Sequence, residues 1–424
     1  MQYLMQVFCT FVKKTLTLQR QSAKTAFIME QHFDMVAKTF KGLESVLARE
    51  LEQLGAENVN IQRRAVAFTG GLRMLYRANM CLRTASRVLV PIAAFRANDA
   101  DGVYARAKEV DWSLFMSVSS SFSIDATVYS EEFRHSRYVT YRVKDAIADW
   151  WTEHAGKRPS VQLSDPDLRL NVHIAGTEVT LSLDSSGESL HKRGYRSATT
   201  EAPINEALAA GMLLMAGWHG QSDFYDPMCG SGTLPIEAAL IAHNIAPGVF
   251  RQGFAFEKWQ DFDRGLFEEI YNDDSAERDF THRIYGSDAS FYAVQAALKN
   301  VQSSGMKRDI DIRQIRLQEL HGINAQGAMV MMNPPYGERL AQDKNVMQLY
   351  KDIGSCLKHR FQGATAWIIS SNEDALKCIG LKPSQRIRLL NGELDCLFNK
   401  YELFGGGRKD FISRTKGSGG IKTA

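Results

Sequence analysis

The chain has no apolar run of roughly eighteen residues, the length a helix needs to cross a bilayer. No membrane partner is expected on that ground. Cysteine is scarce: Cys9, Cys81, Cys229, Cys356, Cys378 and Cys396 are the six in 424 residues. None forms a Cys-x-x-Cys pair and none has a histidine at zinc spacing, so no metal is expected. Buried or incidental thiols in a reducing compartment, the cytoplasm, fit this usage. A large charge excess is also missing, since the formal net charge is +3. That balance leaves a nucleic-acid partner open, because such binding needs a local basic surface rather than a basic average.

Acids are absent from Met1 to Ile28, while Lys13, Lys14, Arg20 and Lys24 are present. A signal peptide places its charge before the apolar run. Here Tyr3–Val12 comes first and the lysines follow, so secretion is not expected. The composition suits an organellar transit peptide better. An upstream start codon suits it best, with Met29 or Met35 opening the true protein, because folded-domain patterning begins near Phe33. Residues 1–32 are therefore expected to be a leader or a mis-assigned start.

Three regions differ in grammar. From about Phe33 to Ala78 the order reads strand, helix, strand, strand, helix. In the first of these helices Leu43, Val46, Leu47, Leu51 and Leu54 recur at helical spacing, and Gly55 ends it. The second region runs to about Ser186. It predicts strands over Arg87–Phe95 and Phe122–Val128, and a helix over Tyr138–His154. A hairpin closes it: Leu168, Leu170, Val172 and Ile174 alternate with polar neighbours, Gly176 turns, and Val179, Leu181 and Leu183 alternate again. This is an α+β module, expected to have an antiparallel sheet.

From about Glu201 to Gly407 strands alternate with helices. Strands are predicted over Asp223–Asp226, Arg283–Ser287, Ile310–Gln314, Ala328–Met332 and Ala364–Ser370. Helices are predicted from Thr233, over Ser290–Ser303 and over Val346–Phe361. The pattern is that of an α/β, doubly wound parallel sheet. Leu394–Phe404 is expected to add one antiparallel strand. An insertion is expected from about His243 to His282, with Phe250, Phe254, Phe256 and Trp259. Beyond Gly407 a Gly, Lys, Arg and Ser tail is expected to be flexible.

Two motifs carry chemistry. The first is Asp226-Pro227-Met228-Cys229-Gly230-Ser231-Gly232-Thr233. A strand ends in a carboxylate and a Gly-x-Gly turn opens a helix, so the backbone can turn tightly and let a ligand lie against it. No Lys-Ser or Lys-Thr follows, which excludes a phosphate-binding P-loop. A nicotinamide site would want a third glycine where Pro235 stands. An acid before the glycines suits a cationic ligand such as the methionine moiety of S-adenosylmethionine. Asp288, ending a later strand, is placed to bind a ribose, although an acid at a helix start is often only a cap.

The second motif is Asn333-Pro334-Pro335-Tyr336-Gly337, after the apolar run Met329–Met332. In open α/β sheets ligands bind beyond the carboxyl ends of the strands, so both motifs can serve one cleft. The amine of a heteroaromatic ring is a poor nucleophile because its lone pair is delocalised. The Asn333 side-chain oxygen and the Pro334 carbonyl can accept its N–H groups and direct that lone pair. Tyr336 can stack on an extruded base.

With Leu181–Arg196 and Ile236-Glu237-Ala238-Ala239, these residues resemble the THUMP-containing RNA guanine-N2 methyltransferases of the RlmL type, which act on large-subunit ribosomal RNA. The resemblance covers nearly all of Phe33–Gly407. It implies a ferredoxin-like part over 33–78, a THUMP RNA-binding domain over 79–190, and a Rossmann-like class I methyltransferase domain over 197–407. It implies that Asp226, Pro227, Gly230, Gly232, Thr233 and Asp288 bind S-adenosylmethionine. It places the helix opened by Ala202-Pro203-Ile204-Asn205 over that cofactor, and gives Asn333 to Tyr336 the guanine amine. Some relatives carry a second, fused methyltransferase domain, so a single modification is expected here.

The linker after His191 interleaves Lys192, Arg193 and Arg196 with Tyr195, a mix expected to contact RNA phosphate. Rival readings are a transfer-RNA guanine-N2 methyltransferase, an adenine-N6 or protein-glutamine methyltransferase, and a non-catalytic RNA-binding assembly factor. The upstream RNA-binding module argues against the adenine and glutamine enzymes. The intact glycines, Asp226 and Asn333 argue against the assembly factor.

Overall fold

The computed structural model describes residues 32–133, 136–199, 203–337 and 343–404. The expected leader up to residue 31 and the expected tail over 408–424 lie outside the described residues. The chain divides into two compact units. Leu47–Leu190 and Arg251–Asp273 belong to the first, with the residues up to Thr39, and Phe40–Val46, His191–Phe250 and the residues from Asp274 onward form the second.

The first unit is built on one eight-stranded sheet. Its elements run β1 (Phe33–Thr39), α1 (Glu44–Gln53), β2 (Glu57–Gln62), β3 (Ala65–Gly70), α2 (Leu72–Cys81), β4 (Ala85–Arg96), α3 (Ala100–Lys108), β5 (Ser121–Tyr129), α4 (Ser136–Ala155), β6 (Ser160–Val161), β7 (Leu168–Ala175) and β8 (Glu178–Asp184). The strand order is β2-β3-β1-β4-β8-β7-β5-β6. In β1 the period-two pattern buries Met35, Ala37 and Thr39 while their neighbours stay half-exposed or exposed. The first helix opens at Glu44, whose carboxylate accepts the Gly42 N–H at 2.7 Å.

β4 runs antiparallel to β1, through Val36 and Leu89, and to β8, through Phe95 and Val179. The two N-terminal regions therefore share a sheet, and the expected boundary after Ala78 falls before the strand that joins them. The sheet is also mixed rather than antiparallel. β5 pairs parallel with β7, Phe122 opposite Leu168. A parallel pair needs a crossover, and α4 supplies it. That helix buries Val139, Val143, Ala146, Ile147 and Trp150 at helical spacing.

Part of the expected insertion packs with this first unit. Tyr76 stacks on Phe256 with ring centroids 4.5 Å apart, and Phe262 and Phe267 meet the same ring edge-on. Asp263 N–H donates to the Tyr76 hydroxyl at 3.0 Å. The Arg251 guanidinium donates to the carbonyls of Ser186, Glu188 and Ser189.

The second unit contains α5 (Glu206–Met215), β9 (Phe224–Asp226) and α6 (Thr233–His243). After α7 (Arg264–Tyr271), which lies within the first unit, come β10 (Ile284–Asp288), α8 (Phe291–Ser303), β11 (Ile310–Gln314), β12 (Met329–Met332), α9 (Asp343–Arg360), β13 (Thr365–Ser370), α10 (Glu373–Cys378), β14 (Gln385–Asn391) and β15 (Leu394–Glu402). Its seven-stranded sheet has the order β11-β10-β9-β12-β13-β15-β14. The first five strands are parallel, and β15 runs antiparallel to β13 as expected. The order turns back at β9: later strands lie on one side through β10 and on the other through β12. A crevice opens at such a switch point, beyond the carboxyl ends of the strands.

Candidate functional site

β9 and β12 are neighbours in register, Phe224 opposite Met329 and Tyr225 opposite Val330. Asp226 ends the first of these strands and Asn333 follows the second. The two motifs thus leave the same edge of the sheet from adjacent strands.

Asp226 is 1 % exposed, and its Oδ1 accepts the Met228 N–H at 3.2 Å. Burial pushes its carboxyl well above the usual carboxylate range; the Met228 N–H opposes that and the nearby Asp288 adds to it. A buried carboxyl beside a second acid is relieved by a bound cation. This donor set fits the cationic end of S-adenosylmethionine.

Gly230 and Gly232 sit at φ +54° and +83°, left-handed conformations that glycine adopts without penalty. Gly230 N–H donates to Asp288 Oδ2 at 3.0 Å, and Ser290 N–H donates to Asp288 Oδ1 at 2.9 Å. The helix cap is Ser290, whose hydroxyl accepts from Ala293 N–H, so Asp288 is not the cap of α8. A Cβ on Gly232 would lie 3.2 Å from the Ala297 Cβ, which holds α6 close to α8.

Asn300, missed from the sequence, ties this turn to the segment before α5. Its Nδ2 donates to the carbonyls of Ser231, at 2.9 Å, and Ala198, at 2.8 Å. Its Oδ1 accepts the N–H groups of Ser197 and Ala198, both at 2.9 Å. A polar residue inside the apolar pattern of a helix was the available signal.

Several other expected cofactor residues have work in the fold. Asn205 caps α5, its Oδ1 accepting from Ala207 and Leu208 N–H. The Thr233 hydroxyl accepts from Arg196 at 3.0 Å. The Pro227 carbonyl accepts from Ser287 at 3.4 Å, and Pro203 is exposed.

The expected phosphate contact is corrected at Arg193 and Tyr195. Arg193 and Tyr195 are each 2 % exposed. The Arg193 Nε lies 3.5 Å from Glu237 Oε1, and the Tyr195 hydroxyl donates to the same oxygen at 3.0 Å. Arg196 engages Glu206 at 2.7 Å and the Ile204 carbonyl at 3.1 Å. A guanidinium drawn inside must pair with a carboxylate, so these side chains face the core. Lys192 alone of the four is exposed.

In the second motif Pro334 is buried, Pro335 exposed, and Asn333 and Tyr336 half-buried. The Tyr336 hydroxyl donates to Asn333 Oδ1 at 2.7 Å. It accepts from Asn391 Nδ2 at 3.0 Å. Asn372 Nδ2 donates to the Tyr336 carbonyl at 3.0 Å, and the Tyr350 hydroxyl to the Pro335 carbonyl at 3.3 Å. The expected stacking residue is therefore also anchored through its phenol. Burial, ahead of any neighbour, holds that phenol protonated far above its ordinary range. The adjoining residues Glu338, Arg339 and Leu340 lie outside the described residues.

The RMKL-like methyltransferase domain family matches residues 193–400, the RlmL ferredoxin-like domain family residues 34–89, and the THUMP domain family residues 97–184. A protein of Synechocystis sp., provisionally named RNA methyltransferase slr0064, is 40% identical over 87% of this chain and 96% of its own length. The ribosomal RNA large subunit methyltransferase K/L of Syntrophotalea carbinolica is 36% identical over 88% of this chain and 54% of its own. The chain thus spans about half the length of the K/L relatives. Among solved structures, SMU.472, provisionally described as a methyltransferase and complexed with S-adenosylhomocysteine, superposes with a TM-score of 0.81 at 29% identity. That match covers 89% of this chain and 100% of the other.

Proposed function

This chain belongs to the RMKL-like RNA methyltransferases that carry RlmL ferredoxin-like and THUMP domains, and we propose that it methylates the exocyclic N2 amine of a guanine in large-subunit ribosomal RNA. The methyl donor in this reading is S-adenosylmethionine, which supplies an electrophilic methyl group on a sulfonium. Asp226, the turn from Gly230 to Gly232, and Asp288 would hold it. Pro227, Thr233, Pro203 and Asn205 would shape the surrounding backbone.

The observation that carries the reading is the pair of motifs leaving adjacent strands, β9 and β12, at the switch point of the sheet. Asn333 Oδ1 has two lone pairs, of which Tyr336 occupies one. The other, with the Pro334 carbonyl, would accept the two N–H groups of the guanine amine and aim its lone pair out of the ring plane. No charged base is needed before transfer. Preorganised acceptors of this kind lower the barrier because they need no reorganisation during reaction.

RNA delivery falls to the first unit, which contains the THUMP match. Among the described residues no helix is long and apolar enough to cross a membrane. The free thiols Cys81, Cys229, Cys356, Cys378 and Cys396 support a cytoplasmic setting.

The test uses large-subunit ribosomal RNA from cells lacking the protein. It is incubated with the full chain and labelled S-adenosylmethionine, then digested to nucleosides. Label in N2-methylguanosine is expected. Label in N6-methyladenosine, or no label in the ribosomal RNA, would refute the substrate assignment.

A further inference from the structure

A tyrosine hydroxyl has one hydrogen and two lone pairs. At Tyr336 the direction of each bond can be read. Asn391, the last residue of β14, donates its side-chain N–H to the oxygen at 3.0 Å. The remaining O–H points to Asn333 Oδ1, 2.7 Å away. The chain of donors therefore runs one way, from the Asn391 amide through the Tyr336 hydroxyl to the Asn333 carbonyl.

That polarity has a chemical result. An amide side chain can present either oxygen or nitrogen, and a hydrogen-bond donor beside it selects the oxygen. With Tyr336 donating, the Asn333 amide plane is held, and the carbonyl keeps one free lone pair. We propose that Asn391 is a positioning residue for methyl transfer, which acts through Tyr336 to turn the Asn333 carbonyl toward the amine of the base. The proposal rests on the reading that Asn333 holds that amine. Asn391 stands on an edge strand outside both motifs.

Two substitutions separate this role from simple support of the turn. Asn391→Leu removes the donor. Asn391→Asp keeps the shape but supplies only acceptors. The Tyr336 O–H would then turn to the carboxylate and offer Asn333 a lone pair, which selects the amide N–H instead of the carbonyl. Aspartate should therefore harm the reaction more than leucine, although it is the closer match in size.

The experiment uses the full chain, labelled S-adenosylmethionine and large-subunit ribosomal RNA from cells lacking the protein. Single-turnover rates are measured at neutral pH, with S-adenosylhomocysteine affinity measured in parallel. Asn391→Leu and Tyr336→Phe should each lower the rate about fivefold to tenfold, the scale of one hydrogen bond. The double variant should be no slower than the slower single, because the two residues act in series. Asn391→Asp should be slower than Asn391→Leu. S-adenosylhomocysteine affinity should be unchanged throughout. Additive losses, or a wild-type rate for Asn391→Asp, would overturn the proposal while leaving the methyltransferase reading intact. A wild-type chain that labels no RNA would overturn both.

Discussion

Asp288 Oδ2 accepts the backbone N–H of Gly230 at 3.0 Å, so the end of β10 clasps the glycine turn that follows β9. One carboxylate thereby shapes the turn and, in the proposed site, faces the ribose. Asp288→Ala should lower S-adenosylhomocysteine affinity by about tenfold or more, the scale of a lost charge-assisted hydrogen bond. The start of α8 should persist, since Ser290 caps it. Calorimetry on the variant checks this, and unchanged affinity would remove Asp288 from the site.

Gly230→Val places a β-branched side chain at φ +54°, a conformation such residues rarely adopt. The cost should be about 1–2 kcal/mol in the turn. Cofactor binding should be lost while the sheet survives. Circular dichroism and calorimetry together test the point, and normal affinity would place the ligand elsewhere.

Asp226 supplies a pH dependence whose sign is the reverse of the common carboxylate case. Its pKa is raised on folding, because burial disfavours its charge. The folded chain then holds a proton that the unfolded chain releases, so stability falls as pH rises above the ordinary carboxylate range. The penalty grows until the folded group also ionises. Asp226→Asn should therefore raise the melting temperature of the ligand-free chain near neutral pH. The gain should be on the order of 1–3 kcal/mol, with a loss of cofactor affinity. A variant that melts lower than wild type at neutral pH would show that the ionised carboxyl stabilises the fold.

The isolated segment His191–Ala424, which keeps Arg193, Tyr195 and Arg196 with their partners Glu237 and Glu206, should bind cofactor yet lose most activity on structured RNA. It carries a defect that the sequence did not reveal. Arg251–Asp273 groups with the first unit, and Phe256, Phe262 and Phe267 pack there on Tyr76. The segment cut from that unit should aggregate, and replacing 251–273 by a short Gly-Ser linker should restore a monomer. Light scattering reads the outcome. RNA binding by the full chain should weaken as salt rises, as phosphate contacts do.

The parts of the site legible in the sequence are those held in contiguous residues. A strand ending in Asp226, a glycine turn and the Asn333 motif each announce themselves through local backbone chemistry. The seven strands of the second sheet were legible except β14. In that strand, Gln385–Asn391, only Leu389 is buried, because it lies at an edge. An edge strand shows little alternation, so Asn391 could not be connected with Tyr336. Burial also reversed the reading of Arg193 and Tyr195. A basic and aromatic sequence does not say which way its side chains face, and Glu237, which receives both, stands on a helix more than forty residues further along the chain. The parallel pairing of β5 with β7 was hidden for a similar reason, since it depends on where α4 crosses.

In the proposed site Asn333 holds the reacting amine, and the single-turnover rate of Asn333→Ala reads that role. Loss of one oriented hydrogen-bond partner in a preorganised site should slow transfer roughly a hundredfold or more. Asn333→Asp keeps an acceptor and should retain part of the activity. Cofactor affinity should be nearly unchanged in both, because the side chain is directed at the base. Asn333→Ala should transfer labelled methyl to large-subunit ribosomal RNA at about one hundredth of the wild-type rate or less, whereas transfer at the wild-type rate would contradict the assignment of Asn333 to the reacting amine.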